Sequence, residues 1–205
     1  MAACAGLAAC DTGDGKTLTP YDPDDYPSQT VATSAPPAPD DGGDDAGGGF
    51  VVPTVEPFGV YAPWMPGGTI DARNTCDGAN VAPAVSWGGA PDGTVEIALA
   101  LVDDSVVDDG QPFVHWAISG LDPLEVAIVE GDVPEMAFQA TNFFGNVGYD
   151  GPCPPVGDDP HMYRLTASAL RASPEVTDAM PATEFLEAVA RVTIGTADLT
   201  ATYGR

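Results

Sequence analysis

The 205-residue chain predicts a mainly β domain, a sandwich of antiparallel sheets with one or two peripheral helices, preceded by a disordered acidic tail. Three observations predict it. Val95 to Val102 is almost continuously apolar between an Asp-Gly pair and an Asp-Asp pair, the pattern of a buried strand. Further strand-like runs follow, joined by turn-rich segments, and only one stretch has convincing helical spacing. Residues 11–49 hold nine Asp, seven Gly and six Pro with no Ile, Phe or Trp, so that stretch cannot bury a core of its own.

At the N-terminus, Leu7-Ala8-Ala9-Cys10 resembles a bacterial lipobox, whose cysteine is diacylated after export. Only nine residues precede Cys10 and none is basic, which is short for an export signal, so either initiation upstream of Met1 or a clipped N-terminus is expected. Residues 11–49 then read as a solvated, self-repelling linker, nine aspartates against one lysine. Its Asp40-Asp41-Gly42-Gly43-Asp44-Asp45 run lacks the spacing and closing Glu of a calcium loop. From Phe50 the composition turns to Val, Phe, Trp and Ile, which places the folded domain at 50–205. After the strand at Val95, Phe113–Ser119 and Tyr163–Leu170 read as strands, and Asp198–Tyr203 alternates with period two. The helix is Ala182–Val192, with Phe185, Leu186, Val189 and Val192 at helical spacing, Thr183 as the candidate N-cap and Gly195 just past the end.

Charge excludes several functions. With 31 acidic against 6 basic side chains the formal charge is −25, so neither a nucleic-acid backbone footprint nor a polybasic membrane patch can be assembled. No apolar run is long enough to span a bilayer, which leaves an N-terminal lipid as the one membrane attachment. The chain also lacks His-Glu-x-x-His, Gly-x-Ser-x-Gly, a phosphate loop and Cys-x-x-Cys, which disfavours the large enzyme classes those motifs mark.

Four polar clusters lie at predicted strand ends: Asp103-Asp104, His115, the Gly151-Pro152-Cys153-Pro154-Pro155 loop, and His161-Met162-Tyr163. A lone strand histidine is ordinarily a hydrogen-bonded core residue. Here both histidines of the chain sit near strand ends with a proline-stiffened loop between them in sequence. The order Asp77-Gly78, Ser86-Trp87, Leu101-Val102-Asp103-Asp104, Val114-His115-Trp116, Asn142, Gly148-Tyr149-x-Gly151-Pro152-Cys153-Pro154-Pro155, His161-x-Tyr163 and Thr202-Tyr203-x-Arg205 resembles the phosphatidylethanolamine-binding protein family, most closely its bacterial Raf-kinase-inhibitor-like branch.

That resemblance implies a compact β-sandwich with a small anion pocket at one end, lined by Asp104, His115, Gly151, Pro152, His161 and Tyr163. It implies no cofactor. Gly151 would let a ligand oxygen reach a backbone N–H held in place by the prolines, the histidines and Tyr163 would donate to the anion, and Asp104 would fix a histidine tautomer. Asp104-Ser105-Val106-Val107 lacks the prolines and second acid that usually follow in the family, and Met162 replaces its usual Arg, so the rim is expected to be remodelled. Arg164 should face the opposite side of its strand.

Cys76 and Cys153 either pair, joining the Asp77 loop to the pocket loop, or remain separate buried thiols. The expected function is a non-catalytic module, exported and lipid-anchored, that binds a small anion, a phospholipid headgroup or a phosphorylated group. The family name also implies kinase or protease regulation. The rival readings are an enzyme using Asp104, His115 and His161 as a hydrolytic or metal-binding set, and an extracellular protease inhibitor using a loop within residues 121–141.

Overall fold

The computed structural model describes residues 56–205 apart from 109, so the lipobox at Cys10, the 11–49 linker and the boundary at Phe50 lie outside the described residues. Nine strands and one α-helix follow in order: β1 Gly59–Tyr61, β2 Gly68–Thr69, β3 Val85–Gly88, β4 Glu96–Asp108, β5 Gln111–Leu121, β6 Ala127–Ile128, β7 Phe138–Gln139, β8 His161–Leu170, α1 Ala182–Val192 and β9 Thr193–Tyr203. They form a six-stranded sheet in the order β2-β9-β8-β4-β5-β7 and a three-stranded sheet β1-β3-β6. All pairings are antiparallel except β2 with β9 at one edge.

The apolar run of β4 is continuous because both of its faces are covered. Ile97, Leu99 and Leu101 join Trp116, Leu165 and Leu199 in a core closed by Val60, Val85, Trp87 and Ile128 of the small sheet. Ala98, Ala100 and Val102 face the other way and pack with Val114 and Leu170 against Phe185 and Val189 of α1. Small residues on that second face let the helix approach closely, while the large aliphatics fill the gap between sheets.

Two helix-end expectations are corrected. Thr183 lies inside α1, whose N-cap is Pro181 with no side-chain cap bond, and the first turn carries Glu184. Gly195 is a residue of β9 rather than a cap, because the helix runs straight into that strand through Thr193. A Cβ at Gly195 would come within 2.8 Å of the Pro91 ring, so the glycine serves sheet packing. Residues 121–141, the candidate inhibitory loop, are tied to the small sheet through β6 and to the large one through β7. They nonetheless expose Leu124 and Met136 almost fully.

Candidate functional site

The inter-sheet face of three strands turns from apolar to polar at one end of the sandwich. On β4 the period-two series Ile97, Leu99, Leu101 continues to Asp103, and on β8 the series Ala167, Leu165, Tyr163 continues to His161. Asp103 and Tyr163 are direct partners in the β4–β8 ladder, which ends there. His115 arrives by a different route. In the β4–β5 ladder Leu101 pairs with Trp116 and Val102 with Val114, which leaves His115 as the extra residue of a β-bulge. The bulge brings its ring beside Tyr163, with centroids 5.3 Å apart.

These residues, with Val106, Phe113, Phe144, Cys153, Pro154 and Pro155, line a cavity of about 150 Å³. That is room for a few waters or one small polyatomic group, well short of a drug-sized ligand. Phe113 and Phe144 pack against His115 at 5.3 and 5.4 Å between centroids, and His161 stacks on Tyr163 at 6.4 Å.

Each imidazole has one nitrogen already committed. His115 Nδ1 lies 2.8 Å from the Asp150 carbonyl oxygen, which can only accept, so Nδ1 carries the proton. His115 is 2% exposed, and burial pushes its pKa below the ordinary histidine value despite opposing pulls from the Asp150 carbonyl and the Asp103 charge. The ring is therefore neutral near pH 7, with a lone pair on Nε2. His161 Nδ1 lies 2.7 Å from Asp103 Oδ2, while Asp103 Oδ1 accepts from the Ser105 amide at 2.8 Å. Neither Nε2 has a protein partner among the described residues. The Tyr163 hydroxyl is buried without a well-aligned hydrogen-bond partner among the described residues, and burial, then the charge and close approach of the Asp103 carboxylate, push its pKa up.

Three of the six expected lining residues lie outside the cavity. Asp104 is not in the pocket. It points to the other face of β4 and takes a two-pronged bond from Arg164, Nε to Oδ2 at 2.9 Å and Nη2 to Oδ1 at 2.7 Å. The tautomer-fixing role expected of Asp104 is held by its neighbour Asp103, one residue and therefore one face away. Arg164 does face the opposite side, as its position on the strand predicts.

The second is Gly151, whose N–H donates to Asn80 Oδ1 at 2.7 Å and so is not free for a ligand. A Cβ there would lie 2.2 Å from the Asn74 carbonyl oxygen, so glycine is required by close backbone packing. Pro152 is buried behind the pocket, and its carbonyl accepts from the Cys76 amide. His115, His161 and Tyr163 are thus brought together, whereas Asp104, Gly151 and Pro152 are not among the lining residues.

Behind the wall sits a network in which the sequence reading assigned no role to any residue. The Asp150 carboxylate accepts from the side-chain amides of Asn80 at 3.0 Å, Asn142 at 2.9 Å and Asn146 at 2.8 Å. Burial would raise its pKa, and the three amide donors outweigh that and hold it below the usual carboxylate range. Asn80 takes a left-handed backbone, φ 51°, to reach both Asp150 and Gly151. This network fixes the segment whose Asp150 carbonyl holds His115. In the structure Cys76 and Cys153 are bonded across 77 residues, which places a disulfide in the pocket wall. Arg205 and Tyr203 bind the Asp77 carboxylate beside it, at 2.8 and 2.7 Å.

The comparisons agree with this architecture. The family profile described as phosphatidylethanolamine-binding protein matches residues 62–204. Over 206 aligned residues the chain is 30% identical to a Mycobacterium tuberculosis protein provisionally named lipoprotein LppC, spanning 99% of this chain and 92% of that one. A crystal structure described as a phosphatidylethanolamine-binding protein homologue of Chlamydia trachomatis superposes with a TM-score of 0.66 at 27% identity, covering 73% of this chain and 98% of that one. Escherichia coli YbcL shares the fold at a TM-score of 0.68 and 24% identity, over 73% of this chain and 99% of that one. The chain belongs to the phosphatidylethanolamine-binding protein family.

Proposed function

We propose that this domain is a non-catalytic receptor for a small oxyanion, a phosphate group above all, held in the cavity between His115, His161 and Tyr163. The observation that carries the reading is the convergence of two tautomer-fixed imidazoles and a buried hydroxyl without a well-aligned partner on one 150 Å³ cavity. Binding is the reading we favour because the carboxylate that does reach the cavity, Asp103, is occupied on one oxygen by His161 Nδ1 and on the other by the Ser105 amide.

The resemblance to a lipoprotein-named relative supports an exported domain tethered through Cys10. Replacing Cys10 by Ser would then release the protein from the membrane fraction of its native host. The binding reading is tested by isothermal titration with a soluble phosphate monoester. His161→Ala and His115→Ala should each abolish the heat signal while thermal unfolding shows a folded domain. Wild-type affinity in both variants would place the ligand elsewhere.

A further inference from the structure

The cavity that Proposed function assigns to an oxyanion carries a feature that selects among oxyanions, and the inference here rests on that assignment. Among the described residues no Lys or Arg lines it. The groups facing it from each element are Asp103 on β4, His115 on β5, and His161 and Tyr163 on β8, with Phe144 and the disulfide-proline wall contributing no charge. Arg164 lies on the opposite face, paired with Asp104, and Arg205 is paired with Asp77 and reaches the wall only from behind, with Nη1 3.6 Å from the Cys153 sulfur. The Asp150 carboxylate is occupied by three asparagine amides.

The one buried carboxylate facing the guest is Asp103, with both oxygens already accepting. His115 adds a second acceptor rather than a donor. Its Nδ1–H is fixed on the Asp150 carbonyl, so in the neutral ring Nε2 offers only a lone pair. A fully ionised guest would set oxygen lone pairs against that nitrogen, beside a negative carboxylate. A guest bearing an O–H would satisfy Nε2 and present its other oxygens to the Tyr163 hydroxyl, which has no well-aligned partner among the described residues.

We propose that the pocket accepts its oxyanion only with a proton attached, binding hydrogen phosphate or a singly protonated phosphate monoester and rejecting sulfate and phosphodiesters, with His115 Nε2 reading the ligand hydroxyl. Sulfate matches phosphate in shape but carries no proton near neutrality, so shape cannot separate them and hydrogen-bond polarity must. A site whose buried acceptor is left unmatched discriminates by about tenfold or more.

The test titrates the wild-type protein at pH 7 and fixed ionic strength with inorganic phosphate, sulfate and dimethyl phosphate. Phosphate binding with the other two at least about tenfold weaker is the expected result. Sulfate or dimethyl phosphate binding as well as phosphate overturns the proton requirement while leaving the oxyanion reading intact. Failure of all three defeats the oxyanion reading and this inference with it. In His115→Gln the side-chain amide can turn its NH2 toward the guest, so the phosphate-over-sulfate ratio should fall toward one. An unchanged ratio in a folded variant means that His115 is not the reader. The wild-type series decides the matter even if that variant does not fold.

Discussion

The two adjacent aspartates at the end of β4 allow a paired substitution that separates pocket from surface. Asp103→Asn keeps the shape but leaves an amide where a carboxylate accepted from His161 Nδ1 and from the Ser105 amide. An asparagine has one acceptor oxygen, so one of the two donors must face its NH2 and lose its bond. The pair is nearly dry, with side chains 14% and 4% exposed for His161 and Asp103. Losing one charge-assisted bond there costs about 1.5–3 kcal/mol. For a domain of this size that lowers Tm by roughly 3–12 °C. Asp104→Asn breaks a bond to Arg164 whose side chains are 30% and 41% exposed for Asp104 and Arg164. Solvent screening limits that loss to about 0.2–1 kcal/mol. The assay is thermal unfolding of both variants with the disulfide intact, together with nitrogen chemical shifts of His161 to read its tautomer. Asp104→Asn should leave the His161 signals and phosphate affinity unchanged. If it costs as much as Asp103→Asn, or shifts the His161 tautomer, the assignment of the two aspartates is wrong.

Further outcomes follow from the same geometry. Affinity for a phosphate monoester should stay flat or rise between low and high inert salt, because attraction comes from contacts shorter than a Debye length while the net charge repels; a steep decline in calorimetric affinity would refute local recognition. Gly151→Ala should lose at least about 2 kcal/mol of stability in urea unfolding, since the new methyl meets backbone at Asn74. Gly145→Ala, at φ 85° with nothing within 4 Å, should lose only about 1–2 kcal/mol. Replacing Cys76 and Cys153 by Ser should cost roughly 2–4 kcal/mol, read from the shift in urea midpoint. His115 has a folded pKa below its unfolded value of 6.5, so near that pH the unfolded chain takes a proton that the folded ring refuses. Stability is complete above that pH and falls as the pH drops toward the folded pKa, so urea midpoints between pH 7.5 and 5.5 should decline more steeply in wild type than in His115→Gln.

What the sequence made legible tracks burial. The β4 core run is readable because a strand covered on both faces has no polar interruption, and α1 is readable because Phe185 and Val189 repeat at helical spacing toward one sheet face. β2, β6 and β7 have two residues each, too few for any period, and exist because longer neighbours template them. In the pocket, the period-two continuation from Leu99 and Leu101 points to Asp103, whereas the family resemblance points to Asp104. The aim of His115 depends on a bulge, and a register shift leaves no mark in composition. The occupation of the Gly151 amide depends on Asn80, 71 residues away, and no local pattern reports it.

The five arginines explain how a strongly acidic chain can hold a buried carboxylate in its receptor. Arg73 pairs with Glu130, Arg164 with Asp104, Arg191 with Glu187 and Arg205 with Asp77, while Arg171 donates to the carbonyl of Arg191 at the end of α1. The one lysine, Lys16, lies outside the described residues. Every described cation is therefore spent on a surface tie, and none lines the cavity. A site with an arginine would add N–H donors that sulfate and phosphate oxygens accept alike, and so would discriminate weakly between them. With the arginines committed elsewhere, what distinguishes guests is the polarity of each ring nitrogen, which the Asp150 carbonyl and the Asp103 carboxylate set from behind. The elements that fix those two acceptors, the Asn80–Asn142–Asn146 cradle and the β4–β8 register, therefore control selectivity without touching the guest.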